Sequence, residues 1–148
     1  MRAVLARLGL LGRSTRTAIF GYLVVSAVGS VALWFLALGA FRDEVRRGAT
    51  VPMALLPDWV LYVQGAFALA LLWLSVRRFH DQDRPGWIAL VPYAASALVW
   101  VGLPESLGGL VWLAFLVGLV LPPTIGPNRF GPDPRGWKSR DHYLQQRR

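Results

Sequence analysis

The 148-residue chain contains no cysteine, and this absence excludes disulfide bonds, thiolate metal sites, iron–sulfur clusters and cysteine nucleophiles. Charge is also scarce, because only 16% of the residues are charged where a soluble protein has about 25%. Acidic residues are the scarcest, with 8 Asp and Glu against 16 Lys and Arg. Hydrophobic residues make up 55% of the chain, more than a soluble domain of this size can bury. The composition therefore excludes wholesale disorder and argues against a water-soluble globular fold.

Four long stretches contain no charged residue, and their lengths approach the roughly 20 residues that a helix needs to cross a bilayer. They cover about residues 17–41, 59–76, 87–103 and 107–121. The first is too long for the apolar core of a signal peptide, which is about 7–15 residues, so we expect a retained anchor. Pro92 lies inside the third stretch and predicts a kink there. Pro104 and Glu105 separate the third stretch from the fourth, and we predict four spanning helices.

The basic residues lie mostly on one side of these predicted spans. With four spans, both termini and the loop of residues 77–86 share one side and carry 13 of the 16 Lys and Arg residues. Since cytoplasmic loops are enriched in Lys and Arg, the pattern predicts both termini in the cytoplasm. The predicted fold class is all-α: an integral-membrane four-helix bundle, N-in and C-in. It comprises residues 1–134, with a polar cytoplasmic loop and a proline-rich C-terminal strap, followed by a basic cytoplasmic tail of residues 135–148.

The predicted spans contain no Asp, Glu, Lys, Arg or His, which argues against a pump, a proton-coupled transporter or an ion channel. Gln64 is their only strongly polar residue, and we expect it to make a helix–helix hydrogen bond. Residues 1–11 allow two interpretations. Their apolar positions share one helical face, which suits a helix lying on the inner leaflet, and the alternative is a frayed basic tail.

Three polar strings fall on the predicted cytoplasmic side. They are residues 12–16 (Gly-Arg-Ser-Thr-Arg), 76–87 (Val-Arg-Arg-Phe-His-Asp-Gln-Asp-Arg-Pro-Gly-Trp) and 126–134 (Gly-Pro-Asn-Arg-Phe-Gly-Pro-Asp-Pro). In these strings the chain resembles domain of unknown function family 805, small bacterial inner-membrane proteins, over roughly residues 12–134. The resemblance implies an inner-membrane location and no particular activity. The chain departs from the family's pattern at Asp83, where Gly is usual, at Pro85, where Ser is common, and at Ile19-Phe20, which replace an aromatic-Trp pair.

We predict that the three strings form one polar cluster beneath the bundle. Its candidate members are Arg13, Arg16, Arg78, His80, Asp81, Asp83, Asn128, Arg129 and Asp133. The favoured interpretation is structural: Asp81 and Asp83 pair with arginines of the cluster, and one of them caps the following helix, with Pro85 as its first residue. In the same interpretation, Asn128 and Arg129 clamp the loop of residues 77–86.

Two alternatives for this cluster stay open. The arginines could bind an anionic lipid head group or a peptide. His80, Asp81 and Asp83 could instead hold a divalent metal, although the neighbouring arginines disfavour a second cation.

No catalytic motif and no Gly-rich phosphate loop is present in the sequence. We therefore predict a non-enzymatic protein with no cofactor and no metal, an accessory or scaffold subunit of a membrane complex. The alternative is a lipid- or small-solute-binding or transport protein that binds anionic head groups with its basic cytoplasmic rim. A membrane enzyme built on the loop of His80, Asp81 and Asp83 is the third hypothesis. The expected partners are the lipid bilayer, its anionic lipids and a membrane-protein complex, with no nucleic acid.

Overall fold

The computed structural model describes residues 12–39, 41–48, 57–102 and 104–146. Within these residues the chain is helical and contains no strand, which confirms the all-α part of the predicted fold class. Asn128 and Gly131 form an isolated antiparallel bridge in the segment after the last long helix. The segment of residues 1–11, for which we considered a helix on the inner leaflet, lies outside the described residues.

The helices follow the apolar stretches of the sequence closely. They are α1 (Arg16–Gly39), α2 (Arg42–Arg46), α3 (Asp58–Asp81), a 3-10 helix (Gly86–Leu90), α4 (Val91–Trp100), α5 (Glu105–Val120) and α6 (Arg140–Gln146). At the start of α1 the Thr15 hydroxyl accepts a hydrogen bond from the Ala18 N–H at 3.3 Å, as an N-cap does. With mean hydropathies of 2.1 and 1.8, α1 and α3 are each long and apolar enough to cross a membrane.

The third apolar stretch differs from its prediction at its beginning. Residues Gly86–Leu90 form a 3-10 helix and the α-helix starts only at Val91, so Pro92 lies in the first turn of α4. A first turn tolerates proline, because an N–H there has no intrahelical acceptor. Pro92 therefore lies near the start of the α-helix, just after the change from 3-10 to α-helix, and not in its middle. Pro85 precedes the 3-10 helix in an extended conformation with no side-chain cap, so the predicted roles of Pro85 as first helical residue and of an aspartate as cap are wrong.

The chain divides into two compact units, and the first contains Met1–Ile19 and Leu72–Arg148. Its apolar core joins the end of α3 to α5 through Phe79 and Phe115, whose ring centroids lie 5.9 Å apart. In the α4–α5 hairpin, the Trp112 indole N–H donates to the Ser96 hydroxyl at 2.9 Å.

The second unit contains Phe20–Leu71, and side-chain hydrogen bonds link its two long helical segments. The helix–helix hydrogen bond expected of Gln64 is present, since its Oε1 accepts from the Ser30 hydroxyl at 3.1 Å. The Tyr22 hydroxyl donates to the carbonyl oxygen of Phe67. These contacts pair α1 with α3 within this unit.

Candidate functional site

A tight turn at the end of α3 positions the central polar residues of the first unit. The Arg84 N–H donates to the Phe79 carbonyl at 2.9 Å and the Asp83 N–H to the His80 carbonyl at 3.1 Å. This pair of bonds is the Schellman arrangement, which needs a left-handed residue just after the helix. Asp83 supplies it with φ of 58°. The turn leaves the last residue of the helix, Asp81, facing the interior of the unit.

Asp81 is the centre of a buried ion-pair network. Its side chain is fully buried, and its Oδ1 accepts from the Arg13 guanidinium at 2.8 Å. Its Oδ2 pairs with Arg78 one turn earlier in α3. Arg135 adds a longer contact, 3.3 Å to Oδ1. Because a buried charge is costly unless it is paired, these three arginines fix the position of the carboxylate.

Arg13 connects the segment before α1 to the segment after α5. Its side chain is 1% exposed and donates to the carbonyl oxygens of Gly126 at 2.6 Å and Thr124 at 2.7 Å. The Ser14 N–H next to it donates to the carbonyl oxygen of Arg77 in α3 at 3.1 Å. One guanidinium thus ties three distant segments of the sequence together.

Arg78 satisfies the last carbonyl groups of α5. Its Nε donates to the Leu119 carbonyl at 2.8 Å and its Nη2 to the Leu121 carbonyl at 2.6 Å, which is favourable because a helix C-terminus carries partial negative charge. Arg78 therefore joins α3 to the end of α5 through main-chain oxygens, while its ion pair with Asp81 lies within α3.

The proline-rich segment after α5, residues 121–135, which we call the strap, follows the end of α3. Both the N–H and the hydroxyl of Thr124 donate to the Asp81 carbonyl at 2.9 Å. The Asn128 amide donates to the His80 carbonyl at 2.8 Å. The Arg129 guanidinium donates to the Asp83 carbonyl at 2.7 Å and pairs with its carboxylate at 3.1 Å. The strap is therefore bonded to successive residues at the end of α3.

Asp133 is the second buried carboxylate of the network. Its oxygens accept from Arg135 Nε at 2.7 Å and from the main-chain N–H groups of Arg135 at 2.9 Å and Gly126 at 3.0 Å, and Arg13 lies 3.5 Å away. Burial alone would raise the pKa of Asp133, but these hydrogen bonds and the charge of Arg135 outweigh it and the pKa is lowered. Asp133 is thus an ionised acceptor that links Gly126 and Arg135, two residues of the strap.

His80 packs against the strap. Its ring stacks on Phe130 with centroids 3.9 Å apart and planes inclined by 7°, and its Nδ1 lies 3.3 Å from the Gly12 carbonyl. Gly86 lies so close that a Cβ there would be 2.9 Å from Nε2. Among residues 12–39, 41–48, 57–102 and 104–146, no three His, Asp or Glu side chains come close enough to hold a metal ion.

The structure separates the nine predicted cluster residues into groups. Four of them share the buried network: Arg13, Arg78, Asp81 and Asp133. We call these four residues and Arg135 the platform. His80 and Asn128 border it, and Asp83 and Arg129 form an exposed pair. Arg16 is exposed, makes no ion pair with the described residues and lines a cavity instead.

Arg135 was assigned by the sequence to the basic tail and not to the cluster. Arg135 belongs to the platform because its guanidinium donates hydrogen bonds to the carboxylate of Asp133, two residues earlier. The sequence Asp-Pro-Arg at residues 133–135 is a signal that could have indicated this contact. The acceptor role of the Leu119 and Leu121 carbonyls had no signal in the sequence, because every residue carries a carbonyl group.

The first unit contains two cavities, and Arg135 of the platform lines the first of them. The first, which we call the α1 cavity, has a volume of about 430 Å³ and is lined by residues 15–17, Pro122, Pro123, Arg135 and Trp137 among others. The second has about 290 Å³ and lies between α4, α5 and the end of α3. Its lining is apolar except for Arg84.

Comparison with protein families gives one result. The family model described as "Protein of unknown function (DUF805)" matches residues 8–132 of the 148. The chain belongs to this family. No curated protein and no solved structure matches the chain.

The matched range of the DUF805 family contains most of the platform. Arg13, Arg78 and Asp81 lie within residues 8–132, whereas Asp133 and Arg135 follow directly after its end. The departure of this DUF805 member at Asp83 has a structural meaning, because φ of 58° is a conformation that glycine adopts more easily than other residues. The matched range therefore includes Arg13, Arg78 and Asp81 of this chain, which fix the end of α3.

Proposed function

We propose that this protein is a non-enzymatic, four-span inner-membrane protein that serves as an accessory or scaffold subunit of a larger membrane complex. In this proposal the four apolar helices form a bundle and both termini lie in the cytoplasm. The observation that carries it is the combination of strongly apolar helices with almost no burial of those helices by the chain itself.

The long helices supply this observation. Of the most apolar 18-residue stretch, only 6% is buried in α1 and 11% in α3. Large side chains such as Phe35 and Leu36 are 78% and 69% exposed. Soluble monomers rarely expose apolar patches of this extent, so lipid tails or the helices of a partner are the natural surroundings of α1 and α3.

The distribution of charge supports the proposed orientation. The α4–α5 hairpin is bounded at its tip by Pro104 and Glu105 and carries no basic residue there, whereas the platform at its other end is rich in arginine. In the four-span arrangement the platform side has 13 Lys and Arg residues and the opposite side has three. Such an excess is typical of the cytoplasmic side.

The contacts of the platform favour a scaffold over an enzyme. Arg13, Arg78 and Asp81 use their polar atoms on one another and on main-chain carbonyl groups. A catalytic group must be able to reach a substrate, and these side chains are 0–1% exposed. Their chemistry holds three segments of the chain together.

Reporter fusions test the topology. A reporter joined after Ala49 is expected outside the cytoplasm, and one joined after Arg148 inside it. The unfused chain is expected to stay in the membrane fraction after alkaline washing and to dissolve only with detergent. A cytoplasmic signal at Ala49, or a chain that dissolves without detergent, would contradict the membrane arrangement.

Purification in a gentle detergent tests the scaffold role. A partner membrane protein is expected to co-purify in a fixed stoichiometry and to be released by a harsher detergent that leaves the chain folded. A chain that purifies alone as a monomer under gentle conditions contradicts this role and leaves the second candidate.

The second candidate function is the binding of an anionic lipid. The α1 cavity favours it, because Arg16 and Arg135 line it and none of its lining residues is acidic. Bound lipid that survives purification of the monomer would support this candidate.

A further inference from the structure

The α1 cavity has two walls of different chemistry. Its polar side is formed by residues 15–17 at the start of α1 and by Arg135. Its other side is apolar and rigid, with Pro122 and Pro123 of the strap and the aromatic pair of Trp137 and Tyr143. The two rings meet edge to face with centroids 4.5 Å apart. A volume of about 430 Å³ is in the range of small-molecule sites, about 300–1,000 Å³.

The guanidinium groups give the cavity positive charge that the described residues do not balance. The platform contains three guanidinium groups, those of Arg13, Arg78 and Arg135, and two carboxylates, those of Asp81 and Asp133. Arg16 brings a further positive charge to the cavity and has no ion pair among the described residues.

Arg16 and Arg135 bring two positive charges to the same cavity. A bound anion there is favoured, because an opposite charge stabilises each guanidinium.

The main chain adds donors at the same place. The N–H groups of Arg16 and Thr17 lie in the first turn of α1, where no intrahelical acceptor is available. The Thr15 hydroxyl is occupied by the Ala18 N–H. The helix start, the Arg16 guanidinium and the aromatic wall are independent features, and all three border one cavity.

Trp137 is held in place from the platform. The Arg135 guanidinium lies over its ring at 4.5 Å and is itself fixed by Asp133 at 2.7 Å. The apolar wall is therefore positioned by the same arginine that lines the polar side, so the two sides keep a fixed spacing.

We propose that the α1 cavity binds the phosphate group of an anionic phospholipid. Arg16 pairs with the phosphate, and the proline and aromatic wall contacts the glycerol and the first methylene groups. Free inorganic phosphate could make the same pair with Arg16. The apolar wall favours a lipid, because only a lipid has glycerol and methylene groups to contact it. The inference rests on the membrane placement proposed above, because the start of α1 is then at the level of the lipid head groups.

Native mass spectrometry of the full chain in a neutral detergent tests this site. The chain is titrated with phosphatidylglycerol, with phosphatidylcholine of the same acyl chains and with inorganic phosphate. We expect phosphatidylglycerol to bind in one-to-one stoichiometry and at least about tenfold more tightly than phosphatidylcholine. Arg16→Gln should remove this preference, since a hydrogen-bonded charge is lost. Thr17→Trp should weaken binding by filling the cavity while all charges are kept.

Arg84→Gln is the matched control, because Arg84 is also an exposed arginine and does not line the α1 cavity. It should retain the preference. Equal losses in Arg16→Gln and Arg84→Gln, no preference for phosphatidylglycerol, or tighter binding of inorganic phosphate would each overturn the proposal. A chain that needs detergent but shows no lipid preference rejects this inference alone, whereas a chain soluble without detergent rejects the membrane placement itself.

Discussion

The two units of the chain stabilise their helices by different means. In the unit of Met1–Ile19 and Leu72–Arg148, Arg78 and Asp81 are completely buried and bonded to several segments. In the unit of Phe20–Leu71, side chains such as Val25 and Phe35 are 67% and 78% exposed. In the first unit the buried carboxylates of Asp81 and Asp133 pair with arginines of the same unit, whereas the long helical segments of the second unit expose large apolar side chains. The difference teaches that substitutions should be severe in the first unit and mild in the second.

The largest effect is expected for Asp81→Asn. The change keeps the size of the side chain but leaves the buried guanidinium groups of Arg13 and Arg78 without their carboxylate. Breaking a buried ion pair costs about 3–5 kcal/mol, and we expect a corresponding fall in the free energy of unfolding, measured by circular dichroism in detergent.

The control for this prediction is Asp83→Asn, which alters an ion pair whose side chains are 46% and 58% exposed. Exposed pairs contribute about 0–1 kcal/mol. If both variants lose the same stability, the platform does not hold the first unit together.

Asp133 gives the next largest effect and a dependence on pH. At neutral pH, Asp133→Asn should cost about 1.5–3 kcal/mol, the value of hydrogen bonds to a charged group. The pKa of Asp133 is lowered in the folded chain, because hydrogen bonds from Arg135 outweigh the effect of burial. Its contribution is therefore present above the unfolded pKa of about 3.9 and is lost as the pH falls through the lower folded pKa.

Unfolding of both proteins between pH 7 and pH 2 measures this contribution. The difference between wild type and Asp133→Asn should be constant at neutral pH and shrink in strongly acidic solution. Asp141→Asn, a change at an exposed aspartate of α6, should show little difference throughout. If the difference in the free energy of unfolding between wild type and Asp133→Asn does not depend on pH, the lowered pKa of Asp133 is contradicted.

A pair of glycine substitutions compares the units directly. A Cβ at Gly86 would lie 2.7 Å from Val76 Cγ1 and 2.9 Å from the His80 ring, so Gly86→Ala should cost about 1–3 kcal/mol. Gly65, in the α3 segment of the second unit, has no atom within 4 Å of such a Cβ. Gly65→Ala should be neutral or stabilise by up to about 1 kcal/mol, because alanine favours helix. Thermal unfolding of the two variants should therefore shift in opposite directions.

The smallest effect is expected for Asp83→Gly. Glycine adopts φ of 58° without the steric cost that other residues meet, and we expect a gain of about 0.5–1 kcal/mol, partly offset by the loss of the exposed pair with Arg129. Asp83→Ala should instead lower stability, since it keeps the strain and loses the pair. We expect Asp83→Gly to be the most stable, wild type the next and Asp83→Ala the least stable. Any other order would show that the backbone conformation of residue 83 does not limit stability at this end of α3.

The long helices could be predicted from the sequence because the signals for them are local. A stretch without charge has one dominant interpretation when it is long enough to span a bilayer, and α1 and α3 follow such stretches. The start of α4 was missed because Pro92 fits both a kinked helix and a first turn, and the choice depends on the 3-10 helix before it.

The candidate site could be predicted only in part from the sequence. Topology placed Arg13, Asp81 and Asn128 on one side of the predicted membrane, but it could not choose partners among sixteen basic residues. Arg78 uses two carbonyl groups at the end of α5, and such main-chain acceptors leave no trace in the sequence. The α1 cavity was equally hidden, because its walls come from residues 15–17 and from segments more than a hundred residues later.

The path of the strap sets the order in which the chain can complete its fold. Arg13 is made early, yet its acceptors on Thr124 and Gly126 lie 111 and 113 residues further along. Contacts so distant in sequence form late, because the intervening chain must be ordered first. The bonds of Arg13 to the strap therefore form only after residue 126 has been made, whereas its pair with Asp81 involves residues made much earlier. A chain shortened before Thr124 lacks these acceptors, and its Arg13 guanidinium keeps only the pair with Asp81.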